Sequence, residues 1–140
     1  MIKKIIFIFT LCICAISCTR DPVVDNTNYV DAPEVLAGSW NWLYSSGGLA
    51  GVTYTPESTG EVKRIEIDAD NNYRYYVNGI LKTASTFRLE KTKSTLTHDS
   101  VIMVTNLLGF KQSLKFQSSD TLLLQEDCFD CFGHCYSRIK

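Results

Sequence analysis

Three cysteines crowd the C-terminal end of the chain as Cys128-x-x-Cys131-x-x-x-Cys135. Thiols so close together can form a disulfide, hold a metal or supply a nucleophile. The chain also carries two histidines, His98 and His134. Three thiolates with either histidine would make a four-ligand zinc set. No second cysteine pair makes that spacing specific, and His134 adjoins Cys135, where strand neighbours point to opposite faces. No metal and no cofactor is therefore expected. If 121–127 and 136–140 pair as a hairpin about Cys131-Phe132, then Cys128 and Cys135 lie opposite each other. Directly opposed strand residues come near the Cα separation that a disulfide tolerates. The expected bond is Cys128–Cys135, with Cys128–Cys131 as its rival. The first choice leaves Cys131 single in the turn, where thiol chemistry is the one enzymatic alternative. Otherwise no enzyme is expected. Neither histidine sits in a Ser-His-Asp or Cys-His arrangement by spacing. Glu61, Glu66, Asp68 and Asp70 read as strand surface and turn.

Two other motifs resolve into connections. Ser46-Gly47-Gly48-Leu49-Ala50-Gly51 is glycine-rich, but a phosphate cradle needs a following helix and usually a lysine. A lid or plain connection fits better. Asp68-x-Asp70-x-Asn72 starts like a calcium loop, yet Tyr73 and Gly79 stand where that loop needs Gly and Glu. Asp and Asn are also ordinary turn residues.

The chain begins with a leader-like segment. Lys3 and Lys4 precede an apolar run from Ile5 to Ile16, interrupted by Thr10. A bilayer span needs roughly 20 apolar residues, so this run has the length of a signal-peptide core instead. Ala15-Ile16-Ser17-Cys18 closes it. A small residue before a cysteine is what lipoprotein processing requires, so residues 1–17 are expected to be removed and Cys18 lipidated. Residues 18–34 carry Pro22 and Pro33 among Asp and Asn, without an apolar period, and read as a flexible tether. The expected location is the cell envelope, at a membrane reached through lipid on Cys18, most simply the outer membrane. Loss of Lys3 and Lys4 leaves 12 basic residues against 15 acidic ones. A nucleic-acid partner would need a basic patch, so none is expected.

From Val35 the pattern is of strands. Trp40, Trp42 and Tyr44 alternate with polar or outward positions. Further runs cover 62–68, 73–77, 80–89, 101–105, 112–117, 121–125 and 134–138. Asn78-Gly79 joins two of them, and both residues tolerate the positive φ of a tight hairpin. Eight strands without a convincing helix give an all-β domain over 35–140. Short links favour an antiparallel meander, and closure into a barrel removes exposed edges. A β-sandwich is the alternative.

These residues resemble the lipocalins. Gly38-Ser39-Trp40 opens the first strand as Gly-x-Trp does in that family, and Arg138 stands on the last strand, where lipocalins place an arginine against that tryptophan. A long loop, Ser45 to Gly60, follows the first strand. The look is closest to the small lipocalin-like lipoproteins of Gram-negative bacteria. Those often show a Gly-Gly loop, here Gly47-Gly48 with Gly51, then Thr55-Pro56, and an ending like Asp130, Phe132, Tyr136 and Arg138. The chain is shorter than true lipocalins and lacks an obvious C-terminal helix. The resemblance implies an extracytoplasmic binding module, with Gly38, Trp40 and Arg138 as structural residues. The aromatic stripe either fills the barrel or lines a pocket. On the second reading a small apolar or amphipathic ligand meets Trp42, Tyr44, Tyr75 and Phe87, with Leu49 and Val52 in a lid. A protein-interaction or inhibitor module of the envelope, with an envelope protein as partner, is the alternative function.

Overall fold

The computed structural model describes residues 34–106 and 111–140. The leader, Cys18 and nearly all of the expected tether lie outside them. Nine strands are described: β1 (Gly38–Gly47), β2 (Val52–Tyr54), β3 (Lys63–Ile67), β4 (Asn72–Val77), β5 (Ile80–Lys93), β6 (Ser100–Asn106), β7 (Lys111–Ser118), β8 (Thr121–Glu126) and β9 (Phe132–Arg138). All neighbours pair antiparallel, and β9 returns to pair with β1. Eight strands therefore close into a meander barrel, and β2 is an extra edge strand. The all-β barrel expected from the strand pattern is the fold, and the sandwich is not.

The extra strand and one helical turn were not legible as such. β1 runs past the start of β3, and its end pairs with β2 through Ser45↔Tyr54 and Gly47↔Val52. A four-residue helix α1 (Pro56–Thr59) follows β2. Thr55 caps it by accepting from the Ser58 amide, and Pro56 stands at the first helical position, where a missing N–H costs nothing. Before β1, Glu34–Leu36 form a 3-10 turn and bury Leu36. Residue 34, which the sequence reading placed at the end of the tether, is the first described residue.

Turn chemistry follows the sequence closely. Asn78 and Gly79 both have positive φ at the β4–β5 hairpin. Asp68 accepts from the Asp70 and Asn72 amides and from the Asn72 side chain. Those bonds to Asn72 lower its carboxyl below the ordinary aspartate value. The Asp68 motif is a turn clasp, with Asn71 in the left-handed region.

The core gathers at one end of the barrel. Trp40, Ile65 and Leu122 are fully buried, with Phe87, Leu89 and Leu124 close by. The Arg138 guanidinium lies 4.1 Å over the Trp40 ring. It also donates to the carbonyls of Ala37 and Val35, tying the entering chain to the last strand. Trp40 donates its indole N–H to the Leu36 carbonyl at 3.1 Å. Gly38 has φ +139, and a Cβ there would sit 2.7 Å from Arg138 Nη1. Only glycine fits that backbone and leaves room for the arginine.

Candidate functional site at the open end of the barrel

Burial along β1 changes phase partway. Trp40 and Trp42 point inward, but a bulge interrupts the β1–β9 register between Trp42 and Tyr44. One extra residue reverses the facing beyond it. Ser45 therefore takes the interior, and Tyr44 turns outward, 39% exposed. This corrects the expectation that Tyr44 faces a pocket.

The interior is filled at one end and hollow at the other. Around Leu36, Ile67, Phe87, Val104 and Leu124 the free space is only about 20 Å³, roughly one water. Phe87 thus belongs to the packed core and not to a ligand surface. Above it, a cavity of about 330 Å³ opens to solvent. That volume lies in the range of small-ligand sites. β1, β4 and β8 all run toward this end, so the β1–β2, β4–β5 and β8–β9 connections ring it.

Aromatic and polar groups share the cavity wall. Trp42, Tyr73, Tyr75 and Tyr136 supply ring surface, and Ser45, Lys63, Glu126 and His134 supply polar atoms. Burial raises the phenol of Tyr73 to about 12 and pushes Tyr75 and Tyr136 up as well. All three hydroxyls are therefore protonated at neutral pH. The Lys63 ammonium sits 4.3 Å over the Trp42 ring and pairs with Glu61 at 3.0 Å. A chain of hydrogen bonds runs along the wall. Trp42 Nε1 donates to Ser45 Oγ at 2.8 Å, and Ser45 Oγ lies 2.7 Å from His134 Nδ1. His134 Nε2 lies 3.4 Å from Glu126 Oε1. Burial holds the His134 imidazole below the ordinary histidine value, against the opposing pull of the Glu126 carboxylate.

Of the expected pocket contacts, Trp42 and Tyr75 do line the cavity. Leu49 and Val52 do not. Leu49 is 89% exposed in the β1–β2 connection, and Val52 also points to solvent. Pairing with β1 holds β2 as an edge strand, so the glycine loop is an extended hairpin and no closed lid.

The expected disulfide is also corrected. The bond joins Cys128 to Cys131, with Cα atoms 5.5 Å apart. The β8–β9 register explains it. Cys135 lies opposite Leu123, and Thr121 opposite Ser137, so the two strands meet five residues out of the assumed register. Cys128 falls in the connection beside Cys131, and Cys135 is a buried free thiol. Cys135 alternates with His134 and Tyr136, which places it on the face away from the cavity. Glu126, Cys128 and Cys131 lie close together, but sulfurs joined in a disulfide offer no thiolate to a metal. The same bond removes the single thiol that chemistry at Cys131 would need. Gly47 accommodates this connection, because a Cβ there would collide with the Cys131 carbonyl oxygen.

The sequence offered His134 only as a metal ligand or a catalytic histidine without partners, and Ser45, Lys63 and Glu126 were not singled out. Ser45↔His134 is a β1–β9 pair, made only when the barrel closes across 89 residues. No local spacing encodes it. The tyrosines had a signal, since Tyr73 and Tyr75 share one face at period two.

The chain matches no protein-family model, no curated protein and no solved structure. What the coordinates define is a closed antiparallel barrel, compatible with a lipocalin-like module, with one filled and one open end. Among the described residues no helix is long and apolar enough to cross a membrane.

Proposed function

We propose that this protein is a lipid-anchored binding module of the cell envelope that takes a small amphipathic ligand into the open end of its barrel. The cavity of about 330 Å³ carries this reading. A barrel serving only as a scaffold gains stability by filling its interior, because each void forfeits packing energy. Here one end is filled and the other is kept open by large aromatic residues and polar side chains. The wall suits a ligand with an apolar or ring-shaped body and a polar end. Trp42, Tyr73 and Tyr75 offer rings to the body, and Lys63 and the three phenols offer donors to the polar group. The lipid anchor rests on Ser17-Cys18 behind its short apolar run. Lipid on Cys18 with a tether of some 16 residues places the barrel in the envelope, at the outer membrane on the simplest reading.

Native mass spectrometry of the protein purified from its own host tests the proposal. A retained small molecule, lost on Trp42→Ala or Tyr75→Ala, is the expected result. A ligand-free barrel that co-purifies with a protein instead supports an interaction module. Leu49 at 89% and Phe129 at 73% exposure, both in connections at the open end, favour that second reading.

A further inference from the structure

The polar chain along the cavity wall has a direction. Indole N–H groups only donate, so Trp42 Nε1 gives its proton to Ser45 Oγ at 2.8 Å. Ser45 Oγ keeps a second lone pair, so the direction of its bond to His134 Nδ1, 2.7 Å away, is set from the far side of the ring. Glu126 Oε1, 3.4 Å from Nε2, only accepts, so the neutral ring carries its hydrogen on Nε2 and its bare Nδ1 accepts from the Ser45 hydroxyl. Glu126 is itself pinned, since its other oxygen accepts from the Phe132 amide at 3.0 Å. A hydroxyl bonded to a bare imidazole nitrogen, with a carboxylate orienting the ring from behind, is the arrangement that activates serine. All three residues line the same open cavity.

We infer that Ser45 is a nucleophile, with His134 as its general base and Glu126 as the positioning residue, and that the open end of the barrel hydrolyses small esters. The inference rests on the cavity reading and adds a reaction to it. Ser45 Oγ attacks the ester carbonyl carbon as its proton passes to His134 Nδ1. The carbon–oxygen bond to the alcohol then breaks, and the alcohol leaves with the proton from Nδ1. Water attacks the acyl-serine by the same route, with His134 taking its proton and returning it to Ser45. The Lys63 ammonium, 4.3 Å over the Trp42 ring, supplies positive charge on the same wall for the developing oxyanion. His134 is half-buried, and the desolvation that lowers its proton affinity keeps it neutral at pH 7, as a base must be.

Treatment with a small fluorophosphonate, followed by peptide mapping, tests the inference, together with hydrolysis of p-nitrophenyl acetate. The expected result is a single adduct on Ser45 and an ester hydrolysis lost on labelling. His134→Asn should slow labelling by about 100-fold or more while the thermal transition persists. The labelling rate should fall as His134 gains its proton below pH 6.5, the ordinary value from which burial lowers it. Glu126, Lys63, Tyr73, Tyr75 and Tyr136 are the ionisable groups that share its cavity wall. Glu126→Gln removes the carboxylate that supports the charged ring, so its limb should move to lower pH. A purely structural Glu126 would leave that limb in place. A folded wild-type protein with no adduct, or with the adduct on another residue, overturns the inference. Such a protein that still retains a small molecule keeps the binding proposal, and an adduct on Ser45 without any retained ligand supports the hydrolase alone.

Discussion

Trp40 and Trp42 stand two residues apart on one strand and serve different ends of the barrel. Trp40 is sealed beneath Arg138 and braces the closed end, while Trp42 forms cavity wall under Lys63. Gly38 makes the first arrangement possible. Gly38→Ala should destabilise the fold by about 1–3 kcal/mol, because the new Cβ meets Arg138 at a φ that L residues avoid. Urea unfolding checks this, and Arg138→Ala should relieve part of the cost. His134 predicts a pH effect. Burial holds its folded-state value below the ordinary 6.5, so the unfolded chain binds more protons as the solution is acidified. The stability it contributes is whole above pH 6.5 and is lost as pH falls through the depressed value. The melting temperature should drop over that window, and His134→Asn should flatten the drop.

Strand-scale features decided which residue types could be read in advance. Period two gave the strands, and Asn78-Gly79 gave its hairpin, because both signals are local. The bulge after Trp42 was not readable, since Leu43 and Tyr44 are ordinary strand residues and only pairing with β9 exposes the mismatch. It moved Tyr44 out and Ser45 in, so half of the candidate site on β1 was misassigned by a single residue. The β8–β9 register failed for a related reason. A hairpin centred on Cys131-Phe132 is tight, whereas the real connection spans residues 127–131 and closes on its own disulfide. Because that disulfide encloses so short a loop, its reduction should cost at most about 2 kcal/mol. Intact mass and chemical unfolding with and without reductant would measure it. A second long-range clasp sits beside it. Asp127 accepts from the Ser94 hydroxyl at 2.7 Å and from the Thr95 amide at 2.9 Å. Burial alone would raise its carboxyl, but these bonds outweigh it and hold the group below the ordinary aspartate value. Asp127→Ala takes the acceptor from the Ser94 hydroxyl and the Thr95 amide and should lower stability by about 1–3 kcal/mol. Hydrogen exchange at Thr95 and Leu96 should accelerate in the same variant.

At the scale of the whole molecule, the barrel divides its work between its ends. The entering chain, Leu36, Trp40 and Arg138 close one end, and the aromatic and polar wall keeps the other open. Closure of β9 onto β1 creates both, for it brings Arg138 over Trp40 and His134 beside Ser45. Gly-x-Trp and the late arginine made the closed end visible in the sequence, because the motif residues contact one another directly. The open end was half visible, as Trp42 and Tyr75 without their polar neighbours. The two tryptophans now offer the most direct test of the account. In a two-dimensional proton–nitrogen spectrum of isotope-labelled protein, their indole N–H groups give separate signals. Titration with a small-molecule extract of the host envelope should shift the Trp42 indole and leave the Trp40 indole in place. Shifts of neither signal across the extract, or of Trp40 ahead of Trp42, would contradict a ligand site at the open end.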